Sequence, residues 1–207
     1  MAILKNGIFG KLSGKLGGKV YSSWNGVEVV KDLPKKSTKE PTQLQLDQRE
    51  KFALCIAFFR CICAVLNVGF KPVAKKMTPR NAAMKYNRDI VLGASGSYSI
   101  DFSKVRISKG NLTTPGSVKL HCGPKGLLLV DYENEIGFGE STDLVFVLFY
   151  NETINECFVI EGALSRRDRQ LVFYKQKETW DDIVHVWFFF KNANRNKVSN
   201  SAYLGTG

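Results

Sequence analysis

The chain of 207 residues carries 30 Lys and Arg against 19 Asp and Glu, a formal charge of +11, and 44% of it is hydrophobic. That composition supports a packed core and excludes a disordered tail, a collagen-like repeat and a membrane-embedded protein. The charge is lopsided, since residues 1–90 hold 17 basic and 6 acidic side chains while residues 91–207 hold 13 of each. A localised field steers a polyanion, whereas a diffuse one mainly aids solubility.

The N-terminal run Met1-Ala2-Ile3-Leu4-Lys5 meets Gly7 and Gly10 before an apolar stretch can form, so no secretory signal is read. Cys55, Cys61, Cys63, Cys122 and Cys157 make an odd set, three of them within one apolar run. That pattern fits buried thiols in a chain that folds in the cytoplasm, a reducing compartment.

Residues 1–33 read as glycine-punctuated strand, with Lys11, Lys15 and Lys19 between the glycines. Val20–Trp24 and Val27–Val30 flank Asn25-Gly26, a strong hairpin signal because both turn residues tolerate positive φ. Pro34 to Pro41 is a polar, Lys-rich linker. Thr42 and Gln45 then form a capping box that opens a helix expected from about Gln43 to Leu66. From Phe52 to Leu66 only Arg60 is not apolar, which gives 15 residues, short of the roughly 20 that span a bilayer. One long, largely buried helix is expected there, with Phe52, Ile56, Phe59 and Arg60 as a docking face. A second short helix is expected over Asn81–Asn87, and Ala94–Ser97 reads as a boundary.

Beyond Tyr98 the pattern becomes short β-runs between turns. The runs are Val105–Ser108, Val118–His121, Leu127–Tyr132, Asp143–Tyr150, Cys157–Leu164, Leu171–Tyr174, Ile183–Lys191 and Val198–Leu204. The expected fold is therefore mainly β: a basic hairpin-and-helix docking region over 1–97, then an antiparallel sandwich of immunoglobulin or fibronectin type III shape over 98–207. Leu144–Tyr150 and Val186–Phe190 are apolar on both faces, as central strands covered on both sides would be.

Chemistry is harder to find. Gly10 and Gly14-Lys15 stand one residue too close for a phosphate-binding loop, and Leu16 replaces the required hydroxyl. The two histidines, His121 and His185, and a lone Cys61-x-Cys63 do not make a zinc site. His121 and Cys122 are adjacent on a strand and point to opposite faces. His185 reads as a satisfied core or edge histidine. Asp131, Glu133 and Glu135 share a strand face, most simply a solvated one. No catalytic motif, metal site or cofactor is expected. The basic segment supplies Lys11, Lys15, Lys19, Lys31, Lys35, Lys36 and Lys39 for a phosphate backbone or an acidic partner, with Tyr21 and Trp24 for stacking.

Gly10–Lys19 leading into Trp24-Asn25-Gly26, then Pro41–Arg49 with Lys51-Phe52, Gly69-Phe70, Asn81-Ala82-Ala83 and Val198–Leu204, carry a resemblance. The chain is similar to an uncharacterised family of short basic proteins from Bacteroidota and their phages and mobile elements. Asp32 departs from the Arg that the family tends to have after the hairpin. The resemblance implies no catalytic residues and leans toward assembly. The expected function is that of a non-catalytic structural or interaction protein, a subunit of a larger, virion-like assembly with protein partners or self-association. The alternative is a non-specific nucleic-acid-binding protein. No membrane span is expected.

Overall fold

The computed structural model describes residues 2–5, 11–24, 27–35, 38–114, 116–133, 140–175, 182–194 and 196–207, with the backbone alone at 2–5, 11 and 24. By its internal contacts the chain divides into two compact units, Met1–Leu46 and Asp47–Gly207.

The first unit is a four-stranded antiparallel meander: β1 (Ala2–Lys5), β2 (Lys11–Leu16), β3 (Lys19–Trp24) and β4 (Val27–Asp32), in that spatial order. Gly17 and Gly18 join β2 to β3 at φ of +54° and +78°, the positive pair that a two-residue hairpin turn needs. The expected hairpin is present as β3 and β4, in register from Lys19–Asp32 to Trp24–Val27. Its turn, Asn25-Gly26, lies outside the described residues. Four strands thus stand where one hairpin is expected.

The second unit begins within α1 (Gln43–Cys61), which is followed by α2 (Cys63–Gly69) and α3 (Pro79–Tyr86). The single helix expected to Leu66 is broken at Ile62, and its two pieces meet at 86°. A straight helix of that length would run about 36 Å. The bend instead brings Phe58 and Phe59 of α1 and Val65 and Leu66 of α2 into one core. Thr78 caps α3 by accepting from Asn81 N–H at 3.2 Å.

Next comes a hairpin of β5 (Val91–Ala94) and β6 (Ser97–Ile100), which places the expected 97/98 boundary inside a paired element. The contacts divide the chain at 46/47 because the helices after that point share their core with the sheet.

Seven further strands follow: β7 (Val118–Cys122), β8 (Leu127–Tyr132), β9 (Leu144–Asn151), β10 (Glu156–Ser165), β11 (Gln170–Tyr174), β12 (Val184–Lys191) and β13 (Ala202–Thr206). They form two antiparallel sheets, ordered β10-β9-β12-β13 and β11-β8-β7. Strand periodicity splits the central pair cleanly. Phe146, Leu148, Tyr150, Trp187 and Phe189 pack with the helices. Val145, Val147, Phe149, Val186, Phe188 and Phe190 pack on Leu128, Val130, Tyr132 and Leu171 of the three-stranded sheet.

Two expected strands depart from plan. Val105, Ile107 and Ser108 are buried and Arg106 is exposed, yet residues 105–108 form no ladder, because side chains replace a neighbouring strand. Asn87 Nδ2 donates to Arg106 O at 2.9 Å and its Oδ1 accepts from Arg106 N–H at 2.7 Å, while Ser201 Oγ accepts from Ile107 N–H at 3.0 Å. Val198 and Ser199 make only single bridges, so β13 starts at Ala202.

A buried ion pair closes one end of this unit. Arg166 is 1% exposed and its Nε donates to Asp143 Oδ2 at 3.2 Å; Asp143 is fully enclosed. Asn192 Nδ2 donates to the other carboxylate oxygen at 2.9 Å, and Arg166 also reaches Thr113 O at 2.8 Å. The guanidinium lies 3.8 Å from the centre of the Phe190 ring.

Removing the carboxylate strands a buried cation. Asp143→Ala is expected to cost about 3–5 kcal/mol in urea unfolding, and a loss under about 1 kcal/mol would mean the guanidinium has other charge compensation. Gly69 ends α2 against Ile107 and Ser108, and a Cβ there would run into the Ile107 carbonyl oxygen. Gly69→Ala should therefore cost about 1–3 kcal/mol by the same measurement, and unchanged stability would show that the chain at Ile107 yields freely.

Candidate interaction surface

The register of the N-terminal sheet sorts its residues onto two faces. Lys15, Val20 and Lys31 stand side by side across β2, β3 and β4, and Trp24 pairs with Val27. Counting by twos along each strand adds positions Ile3, Lys5, Lys11, Ser13, Ser22 and Val29 to that face. The other face takes Leu4, Leu12, Gly14, Leu16, Lys19, Tyr21, Ser23, Glu28, Val30 and Asp32. Four lysine positions thus share one face without a carboxylate, while both strand carboxylates lie opposite. There Lys19 Nζ meets Asp32 Oδ1 at 2.9 Å.

The expected contact residues therefore separate. Lys11, Lys15, Lys31 and Trp24 fall together, and Lys19 and Tyr21 fall on the reverse face. Lys35 and Lys39 lie on exposed chain beyond β4, and Lys36 lies outside the described residues. Of the expected docking face on α1, Phe59 is fully buried in the core of the second unit, Ile56 is half-buried, Arg60 is exposed and Phe52 is 52% exposed. Phe59 serves packing, together with Cys55 and Phe58.

Elsewhere the second unit brings together groups that no spacing reveals. Buried His185 has both ring nitrogens engaged: Nε2 lies 3.0 Å from Glu152 Oε2 and Nδ1 lies 2.9 Å from the Tyr203 hydroxyl. A carboxylate only accepts, so Nε2–H donates to Glu152, and Nδ1 shares the second hydrogen bond with the Tyr203 hydroxyl. Burial, then the charges of Asp101 and Glu152, push the Tyr203 hydroxyl up and keep it a donor. With no nitrogen left over, this trio orients β13 against β12.

Cys157 Sγ donates to Cys61 O at 3.0 Å. Burial, helped by the Cys61 thiol, pushes the Cys157 thiol up to about 12. Such a thiol is a poor nucleophile. His121 Nε2 lies 3.3 Å from Asp131, and Cys122 Sγ lies 3.8 Å from Thr206 O, so the two neighbours diverge. Glu135 lies outside the described residues. Among the described residues no three His, Cys, Asp or Glu side chains gather to hold a metal ion, and no single helix is long and apolar enough to cross a membrane.

A cleft of about 290 Å³ opens between β10 and β11, where Phe149, Phe173 and Phe158 stack at centroid distances of 4.3 and 5.1 Å. Phe149 and Val184 of its lining belong to the sheet core, and Asn151, Glu156 and Lys175 add polar groups beside the aromatic rings.

No curated protein matches the chain. Among solved structures, the fn3 domain of human collagen alpha-1(XX) chain is similar at 14% identity and a TM-score of 0.33, over 56% of this chain and 90% of that one. A family model described as a family of unknown function, DUF6266, matches residues 10–205, and the chain belongs to that family.

Proposed function

We propose that this chain is a non-catalytic interaction protein, a subunit of a larger, virion-like assembly, with the N-terminal sheet as its docking element. The observation that carries this reading is the exposure of the sheet's described side chains. None of its described side chains is buried, and Leu16 and Val30, on one face, are each 54% exposed. A sheet of this size holds its shape when an apolar face is covered. Leu12, Leu16, Tyr21 and Val30 offer such a face to a second copy or another subunit.

We read β7–β13 as a fibronectin type III-like sandwich. Counted from β7, the two sheets run 1-2-5 and 4-3-6-7, a Greek-key order that supports this shape. In this reading it supplies a stiff frame. All five cysteines are free thiols, which supports folding in a reducing compartment.

Size-exclusion chromatography with light scattering tests the reading. The expected result is a defined oligomer that Leu16→Lys with Val30→Lys dissociates, while the thermal transition of residues 47–207 is unchanged. A wild-type chain that stays monomeric at high concentration overturns self-assembly through this face.

A further inference from the structure

We propose that the lysine-bearing face of the N-terminal sheet binds single-stranded nucleic acid, holding phosphates with Lys5, Lys11, Lys15 and Lys31 and stacking a base at Trp24. This inference rests on reading the sheet as a docking element, but it uses the face opposite Leu16 and Val30.

Register is the first support. Four lysine positions fall on one side of a four-stranded sheet, and both strand carboxylates, Glu28 and Asp32, fall on the other. Glu28 and Asp32 stand four residues apart on β4, and Lys11 and Lys15 four apart on β2, so strand alternation keeps each pair on one side. The side that carries the carboxylates neutralises its own lysine through the Lys19–Asp32 pair, so the opposite side keeps the field.

Spacing is the second. Lys11 and Lys15 lie four residues apart on β2, roughly 13 Å, and Lys15 and Lys31 lie two strands apart, roughly 10 Å. Flexible lysines at such intervals follow a phosphate backbone rather than grip one phosphate. Between them stand Val20, Val29 and Val27, with Val27 opposite Trp24. An apolar strip with one aromatic position suits the faces of unpaired bases, which a duplex hides inside its stack. No arginine occurs before Arg49, so no bidentate reading of guanine is built into the sheet and binding is indifferent to sequence.

The face has no comparable match to an acidic protein. Carboxylates there would gain the same four charges, but the tryptophan position and valines would gain nothing. Stacking therefore separates the two partners.

Fluorescence anisotropy of the full chain with a labelled 20-nucleotide poly(dT), titrated across NaCl, tests the proposal. Four phosphate contacts on a single strand give a slope of log K against log salt of about −3. Lys15→Gln with Lys31→Gln should lower that slope to about −1.5 and weaken binding at least tenfold at low salt. Trp24→Ala should weaken binding about 5- to 100-fold with the slope unchanged. Lys19→Gln, on the reverse face, should change affinity less than twofold. Light scattering on the same variants keeps this result apart from self-assembly, and circular dichroism verifies that each variant folds. Four outcomes overturn the proposal: no binding of poly(dT), equal loss for Lys19→Gln, no loss for Trp24→Ala, or equal binding of a duplex or of polyglutamate.

Discussion

From Val145 to Phe149 and from Val186 to Phe190, strands β9 and β12 are apolar at every position, and an antiparallel pair with two apolar faces has to be covered twice. Each large side chain left in water there would forgo about 1.5–3 kcal/mol. The rest of the second unit follows from that demand. One face takes the three-stranded sheet; the other takes α1, α2 and α3. A straight continuation of α1 would carry its apolar residues past the sheet, so the bend at Ile62 belongs to the same requirement. Flanking strands β10 and β13 relax to half-burial, because each is paired on one side only.

The polar groups inside this unit sit where its layers end. Asp143 stands just before β9, Arg166 just after β10 and Asn192 just after β12, so one buried network joins the ends of three strands. Asn87 does similar work beyond α3, fastening residues 105–108, which have no ladder of their own. These groups contribute fixed register more than net stability, since a buried ion pair offsets its desolvation only when every donor and acceptor is met.

Much of this was legible in the primary structure, and the gaps have physical causes. Seven of the eight expected β-runs contain a strand, because glycine, proline and asparagine punctuate them and because β9 and β12 are too apolar to be anything but central. The eighth, Val105–Ser108, has a strand's composition but takes its hydrogen bonds from Asn87 and Ser201, which periodicity along one segment does not encode. The break at Ile62 was hidden because the run from Phe52 to Leu66 is apolar except at Arg60 and holds neither proline nor glycine. Sheet order was hidden too, as it depends on partners far away in the chain. At the candidate surface, Lys11, Lys15 and Lys19 read as a single stripe at intervals of four. The two-residue turn at Gly17-Gly18 sets Leu16 beside Lys19, which sends Lys19 to the face opposite Lys15. Tyr21 and Trp24, three residues apart on β3, take positions on opposite faces by strand alternation alone.

The two units therefore solve opposite problems. Residues 47–207 cover both apolar faces of β9 and β12 with their own elements. The N-terminal sheet has its backbone paired and its strands in register, yet none of its described side chains reaches burial. Hydrogen bonds alone add little net stability when water offers the same bonds to the open chain. Under the proposed docking, a partner on that sheet would supply apolar contact, and the free energy of docking would add to the free energy that holds its shape.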